Sequence, residues 1–542
     1  MVNHRRLATE LPAAAWCLLV LVVVATPANA QDLHAPHQIR PVPKDILERP
    51  VPRRSGIGGA HDAVSTGSAE AQGFYDQGLA YLHDYVWIEA ARSFNQALRI
   101  DPKLAIAYVG LNYAYTELNA PAGAGRAFEQ ARALASGASV HDRGHIAVRA
   151  AQIAAEHAQT DPARLAAYRK AIDEALTANP QDVELWLLRG IAESPDPADR
   201  GQGSTASSIP FYERALKLAP NHFAAHHYLT HACENTNQIN KALDHGAAFA
   251  ALAPEIPHAR HMHGHALRRV GRTEEAIAEF LAADRLERDY FRTEKVAPEH
   301  DWHYQHNLDL LAASYQYLGQ MKQAEARLRA SFPLPTALLV QAVNKREWPV
   351  FLLARGRIDE SLAAATSLAG HASPVVSAIG HVEAGEALLA AGRFGRAADE
   401  SNAALAALRR ATEGQALVAP ALKQLQGEFF LRTGQGEKGR TILNQVAREA
   451  RALPGPDSWS QALFTLEAIA RAAREAGDWE LARASAQQLF EHDPSYAGTH
   501  FALALVAEHD GDARKARAEF ALAKRYWRMA DPDLIELKRM DP

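Results

Sequence analysis

From residue 71 onward, apolar and small residues recur with a period near 34, and each period splits into two helical stretches. Residues 71–104 show the pattern best, with Phe74, Gly78, Tyr81, Ala90, Phe94, Ala97 and Pro102 in register. This spacing predicts one helix carrying Phe74, Gly78 and Tyr81, a short turn, and a second helix carrying Ala90, Phe94 and Ala97. Asp101-Pro102 stops the second helix, because proline disfavours a helical residue before it. Gly78 and Ala90 are small where the two helices touch, and Phe74, Tyr81 and Phe94 fill the space between layers. The frame returns at Tyr108, Leu111, Tyr115, Ala124, Phe128 and Ala131, and its last copy contains Phe520. Insertions interrupt it around 195–207 and near 288–302. About a dozen helix pairs are expected over 70–530, with 531–542 as a tail. Such pairs cannot bury their apolar faces alone, so they must stack into one all-α array.

The order W-x2-L-G-x2-Y, A-x3-F, P, met here by Phe74 through Pro102, resembles the tetratricopeptide repeat family. That resemblance implies a right-handed α-solenoid, with the first helix of each pair lining a concave groove. It also implies that a protein or peptide partner is held in that groove.

The first 69 residues lie outside the repeat. Arg5 and Arg6 precede an apolar run over 13–25, followed by Ala28-Asn29-Ala30. This reads as a secretory signal peptide over 1–30, cleaved after Ala30, and predicts a periplasmic or secreted protein without a membrane span after cleavage. Residues 31–69 are rich in Pro, Gly, Ser and charge, and read as a flexible tether. Cleavage removes Cys17 and leaves Cys233 alone, so no internal disulfide is expected. Of the 542 residues, 48% are hydrophobic and 22% charged, and the net charge is −5. This is the composition of a folded protein without a broad basic surface for nucleic acid.

Histidine changes the picture. Twelve of the chain's 25 histidines fall between His222 and His306. They cluster in the phrases H-F-A-A-H-H-Y-L-T-H, I-P-H-A-R-H-M-H-G-H and D-W-H-Y-Q-H-N-L-D-L-L, which together resemble an exported bacterial branch of the same repeat family. When consecutive repeats are aligned on Ala242, Ala276 and Ala324, His227, His261 and Asp309 share one place of the first helix. His231 and His265 share a second place, and His258 and His306 a third. Those places lie on one helix face. His-x3-His pairs offer two imidazoles to one ion, and two pairs on adjacent helices would converge on one centre. Imidazole suits zinc, copper, iron and nickel. The predicted ligands of a divalent transition metal are therefore His227, His231, His261 and His265, with His306, His258, His303 or Asp309 completing or extending the set. Glu234 lies on the same face. Arg268 and Arg269 are placed to hold an anion, or else simply to pair with carboxylates. His226 and His263 read as layer-packing residues, His245 and His300 as surface residues, and His83 as a packing or capping residue. No phosphate loop, nucleophile elbow or H-E-x-x-H motif is present. Three readings remain open: a metal-binding scaffold, a metalloenzyme, and a metal-free scaffold with a polar groove for a peptide.

Overall fold

A computed structural model of the protein describes residue 37, residues 40–452 and residues 456–540. These residues form an all-α solenoid fold of tandem helix pairs, with no β-strand among them. The stretch 1–30, read as a signal peptide, lies outside the described residues. No helix among the described residues is long and apolar enough to cross a membrane. The chain divides into two compact units. Among the described residues the smaller comprises Lys345–Val446 with Glu475–Asp478. The larger comprises the described residues within 28–344, 447–474 and 479–542.

The expected repeat contact is visible in the first pair, Ala69–His83 and Trp87–Ile100. Ser68 caps the first helix, its hydroxyl accepting from the Ala71 amide at 3.2 Å. A Cβ added at Gly78 would stand 2.7 Å from the ring of Phe94, which is fully buried. The same approach recurs between Gly264 and Phe280, at 2.6 Å. Turns between paired helices use one left-handed residue: Asn119 and Asn237 in two of them, Gly271 and Gly319 in two others. The first pair places Tyr85 there, at φ 60°. A bulky residue in that region carries strain of about 1–3 kcal/mol.

The structure corrects the tether. From residue 40 the segment is a packed strap. Ile46, Leu47, Val51, Ile57 and Ala60 are buried in the core that holds Phe74 and Phe94. A Pro-rich chain forms no ladder of its own, and repeat side chains capture its carbonyls instead. Asn95 donates to the Leu47 carbonyl (3.0 Å), Arg92 to that of Pro50 (2.9 Å) and Gln77 to that of Pro52 (3.1 Å). The strap also reaches later repeats, where the Glu255 amide donates to the Gly56 carbonyl at 2.9 Å and Arg54 pairs with Glu294. The C-terminal tail is likewise packed over 531–540. It contains the helix Ile535–Met540, and Leu534 and Met540 bury against Trp527.

Within the larger unit, the ends close onto the middle. The Trp302 indole donates to the Tyr85 carbonyl at 3.2 Å, and the Tyr317 hydroxyl to Asp493 at 2.9 Å. The Asp531 amide donates to the Gly319 carbonyl at 3.1 Å, and Asp531 accepts from the Lys322 amide at 2.8 Å. The histidine-bearing face therefore lies inside packed protein.

The smaller unit carries its own buried polar group. Glu383 is 2% exposed and lies 3.1 Å from Arg346. Burial lifts its carboxyl to about 7, with Arg346 pulling the other way.

Candidate metal centres

Three first helices carry the histidines: Phe223–Asn235, Pro257–Arg269 and Trp302–Tyr317. The last begins on Asp301, whose carboxylate accepts from the His303 amide at 2.8 Å. That cap fixes where His303 and His306 emerge.

Three Nε2 atoms meet at the first centre. His227 Nε2 stands 3.1 Å from His231 Nε2 and 3.0 Å from His258 Nε2. The Nδ1–H of His227 donates to the His83 carbonyl at 2.7 Å. That bond places the proton on Nδ1 and leaves a lone pair on Nε2, facing the other two rings. Ligand nitrogens about 2.0–2.1 Å from a tetrahedral ion stand about 3.3 Å apart, close to what is seen. The strained Tyr85 packs its ring against His227 and His258, with centroids 4.7 and 5.1 Å away.

His261, His265 and His306 form the second centre, each with a donor atom within 4.8 Å of the others. Here the His261 Nδ1–H donates to Asn307 Oδ1 at 3.0 Å. Its Nε2 is buried without a hydrogen-bond partner, as are both ring nitrogens of His265. Glu234 lies 3.6 Å from His265 Nδ1.

His303 stands between the two centres, its ring 5.1 Å from that of His258 and 4.5 Å from that of His261. Its Nδ1 bonds Glu287, which is fully buried. Burial lowers His303 and raises Glu287, favouring the neutral form of each. Burial also pushes His227 down to about 3, with the His83 carbonyl opposing. It holds His258, His261 and His265 well below the usual histidine range, and neighbouring imidazoles add to the effect. These rings are kept neutral, which is the form that binds metal.

A cavity of about 620 Å³ adjoins the first centre. His258, His303, Tyr85, Trp302 and Asp84 all line it. Asp84 is fully buried, neither carboxylate oxygen has a hydrogen-bond partner, and burial raises its pKa well above the usual range.

These positions revise the expected set in four ways. The two His-x3-His pairs fall into separate clusters. Each combines with one histidine of the next repeat, His258 with the first pair and His306 with the second. The third-place histidines of the register, His258 and His306, are thus members of the two clusters. Asp309 belongs to neither triad, and Asn344 donates to it at 3.4 Å. Arg268 and Arg269 both pack on Trp459, with guanidinium carbons 5.4 and 5.7 Å from its ring centroid. His83 has a larger part than packing. Its Nε2 bonds Glu184 at 2.7 Å, its Nδ1 bonds the Tyr228 hydroxyl at 2.7 Å, and its carbonyl orients His227. Sequence reasoning missed Asp84 and Glu184, because neither follows the repeat register of the histidines.

The fold and the glycine–aromatic contacts define a helical-repeat protein. The tetratricopeptide repeat model matches residues 257–290, the Pro257–Arg269 helix and most of its partner. This segment is similar to a tetratricopeptide repeat. No curated protein matches it by sequence. Similar solved structures include the APC/C hetero-tetramer Cut9–Hcn1, at 12% identity and TM-score 0.31, covering 88% of this chain and 97% of that one. Another is the human IFIT1 dimer with PPP-AAAA, at 10% identity and TM-score 0.33, covering 84% and 89%. A third is the P58(IPK) TPR domain, at 12% identity and TM-score 0.22, covering 85% and 99%.

Proposed function

We propose that this protein is an exported, metal-binding tetratricopeptide-repeat scaffold that holds a divalent transition metal in each of its two three-histidine centres. The observation that carries this reading is the convergence of His227, His231 and His258 through Nε2, with the His227 Nδ1 proton committed to a carbonyl. Neutral, crowded imidazoles are costly to assemble without a shared cation. All-nitrogen donors favour zinc, copper, iron or nickel over magnesium or calcium. A protein or peptide partner fits the outer repeat surfaces better than the histidine face, because that face is buried.

The test is metal content after purification without chelator and exposure to zinc, copper, iron or nickel. At least two equivalents are expected, with His258→Ala and His306→Ala each losing one. Wild-type protein that holds none of the four metals would refute the reading.

The cavity beside His258 and His303 favours a second reading, in which the first centre is catalytic. Three protein ligands leave a fourth position for water or substrate, and Asp84 supplies a raised-pKa carboxyl nearby. In cobalt-loaded protein, azide should then shift the visible bands. Unshifted bands would leave the scaffold role alone standing.

A further inference from the structure

A second type of cluster lies in the larger unit, outside the two triads. Asp62 comes from the strap, His141 and His145 from the helix Val140–Glu156, and Asp182 from the residue that caps Val183–Ile191. We propose that these four residues form a third metal centre, which takes a divalent cation such as zinc or manganese and clips the N-terminal strap to the repeats. This inference is independent of the triads.

The geometry carries it. One donor atom from each residue lies within 4.8 Å of the other three. His141 Nε2 is 2.8 Å from Asp62 Oδ1 and 3.2 Å from Asp182 Oδ2, and His145 Nε2 is 2.9 Å from the same Asp182 oxygen. Donors around a tetrahedral ion stand about 3.3 Å apart, so a small expansion admits a cation among them. Two imidazoles and two carboxylates make a mixed nitrogen–oxygen set that suits zinc or manganese.

An outer layer orients three of the four ligands. His141 Nδ1 bonds Asp142 at 2.9 Å, the carboxylate–histidine arrangement that fixes a metal-bound ring. Asp142 in turn accepts from the Ser65 amide at 3.1 Å. Asp182 spends its other oxygen on the Leu185 amide at 3.0 Å, and the Tyr75 hydroxyl donates to Asp62 at 3.3 Å. Asp62 and Asp142 are buried, the Asp182 side chain is nearly so, and two imidazoles face the three carboxylates. A dication that replaces the two imidazolium protons keeps the same charge balance and gains the carboxylates as ligands. Because Asp62 lies on the strap, loading the site ties residues 62–65 to the helix at 140.

Anomalous diffraction from crystals of the full chain, soaked in zinc alone or manganese alone, locates the ion. A peak is expected among Asp62, His141, His145 and Asp182. Asp62→Asn should remove this peak and leave those at the triads, which also shows that the variant is folded. Asp142→Asn, a change to a positioning residue, should weaken zinc at this centre by about 10–100-fold. Zinc should slow proteolysis of residues 40–65, and EDTA should restore it. Two results would overturn the proposal: no density at this position from either metal, or an Asp62→Asn protein with unchanged metal at the site. Empty triads beside an occupied third centre would defeat the proposed function and leave this inference standing.

Discussion

His227 and His141 belong to the same compact unit, and both sit in clusters of metal-ligand side chains, yet their protons behave in opposite ways. Burial drives His227 down to about 3, where its Nε2 faces the imidazoles of His231 and His258. Burial works against His141 too, but hydrogen bonds to Asp142, Asp182 and Asp62 overcome it and lift that ring to about 12. The difference lies in the company each ring keeps. An all-histidine cluster minimises its charge by shedding protons, which leaves lone pairs for a cation. A mixed cluster minimises its charge by keeping protons, so a metal there must displace them and gains the carboxylates as ligands.

The largest effect that could break this contrast is acid sensitivity. A histidine whose folded pKa is depressed favours the folded state above the unfolded pKa of about 6.5. That stability is lost as pH falls toward the folded value. In metal-free protein each such ring should cost about 2 kcal/mol at pH 5 relative to pH 7. His227, His258, His261, His265 and His303 all share this direction, so the urea midpoint should drop steeply between pH 6.5 and 5. His141 and His145, raised rather than lowered, add nothing to that drop. A midpoint that stays level from pH 7 to pH 5 would remove the basis of the comparison.

A smaller effect isolates the mixed cluster. Asp182→Asn keeps an N-cap acceptor for the Leu185 amide and deletes the charge facing His145 and His141. The pKa values of both rings should fall, and stability at pH 7 should drop by about 3 kcal/mol, as when one partner of a buried pair is removed. Histidine NMR titration and urea unfolding read the two consequences separately. Unmoved titrations would mean that Asp182 does not set the protonation of this cluster.

The repeat was legible in the sequence because its cause is local. Gly78 faces Phe94, and Gly264 faces Phe280, through short-range spacing that any window of 34 residues contains. The His227/His231 and His261/His265 pairs were legible for the same reason, since helical period alone puts each pair on one face. Their sorting into two triads was not, because the deciding rings, His258 and His306, arrive from the next repeat at an angle the register does not specify. Asp62 was harder still. It stands in a Pro- and Gly-rich stretch without periodicity, and that stretch is ordered by Arg92, Gln77 and Asn95 of distant helices. His141 and Asp182 belong to a weak repeat copy in which no histidine phrase draws the eye. The sequence points Arg268 and Arg269 to an anion or to carboxylates, and gives no sign of Trp459, which they pack against and which lies nearly 200 positions away in the chain.

The smallest predicted effect extends the rule to an acid in the other unit. Glu383, raised to about 7, stabilises the fold below the unfolded carboxyl pKa, and that contribution fades as pH rises through 7. The smaller unit should therefore lose up to about 3 kcal/mol between pH 4.5 and 7, opposite in sign to the triads over the same range. Glu383→Gln should flatten that dependence in hydrogen exchange of the helix Pro374–Ala390. An equal slope in wild type and variant would assign the effect elsewhere.

The bonds that tie the first and last repeats to the middle bear on how the array can change over time. An open stack of repeats feels only its neighbours, so copies can be duplicated or dropped with little penalty. Here Tyr85 meets Trp302 across 217 positions, and Gln320 meets Met529 across 209. Inserting or deleting one copy would shift every such pairing out of reach, so the number of repeats is locked by closure. The same long loops raise the mean sequence separation of contacts, which slows folding and makes it more nearly all-or-none than in an open array.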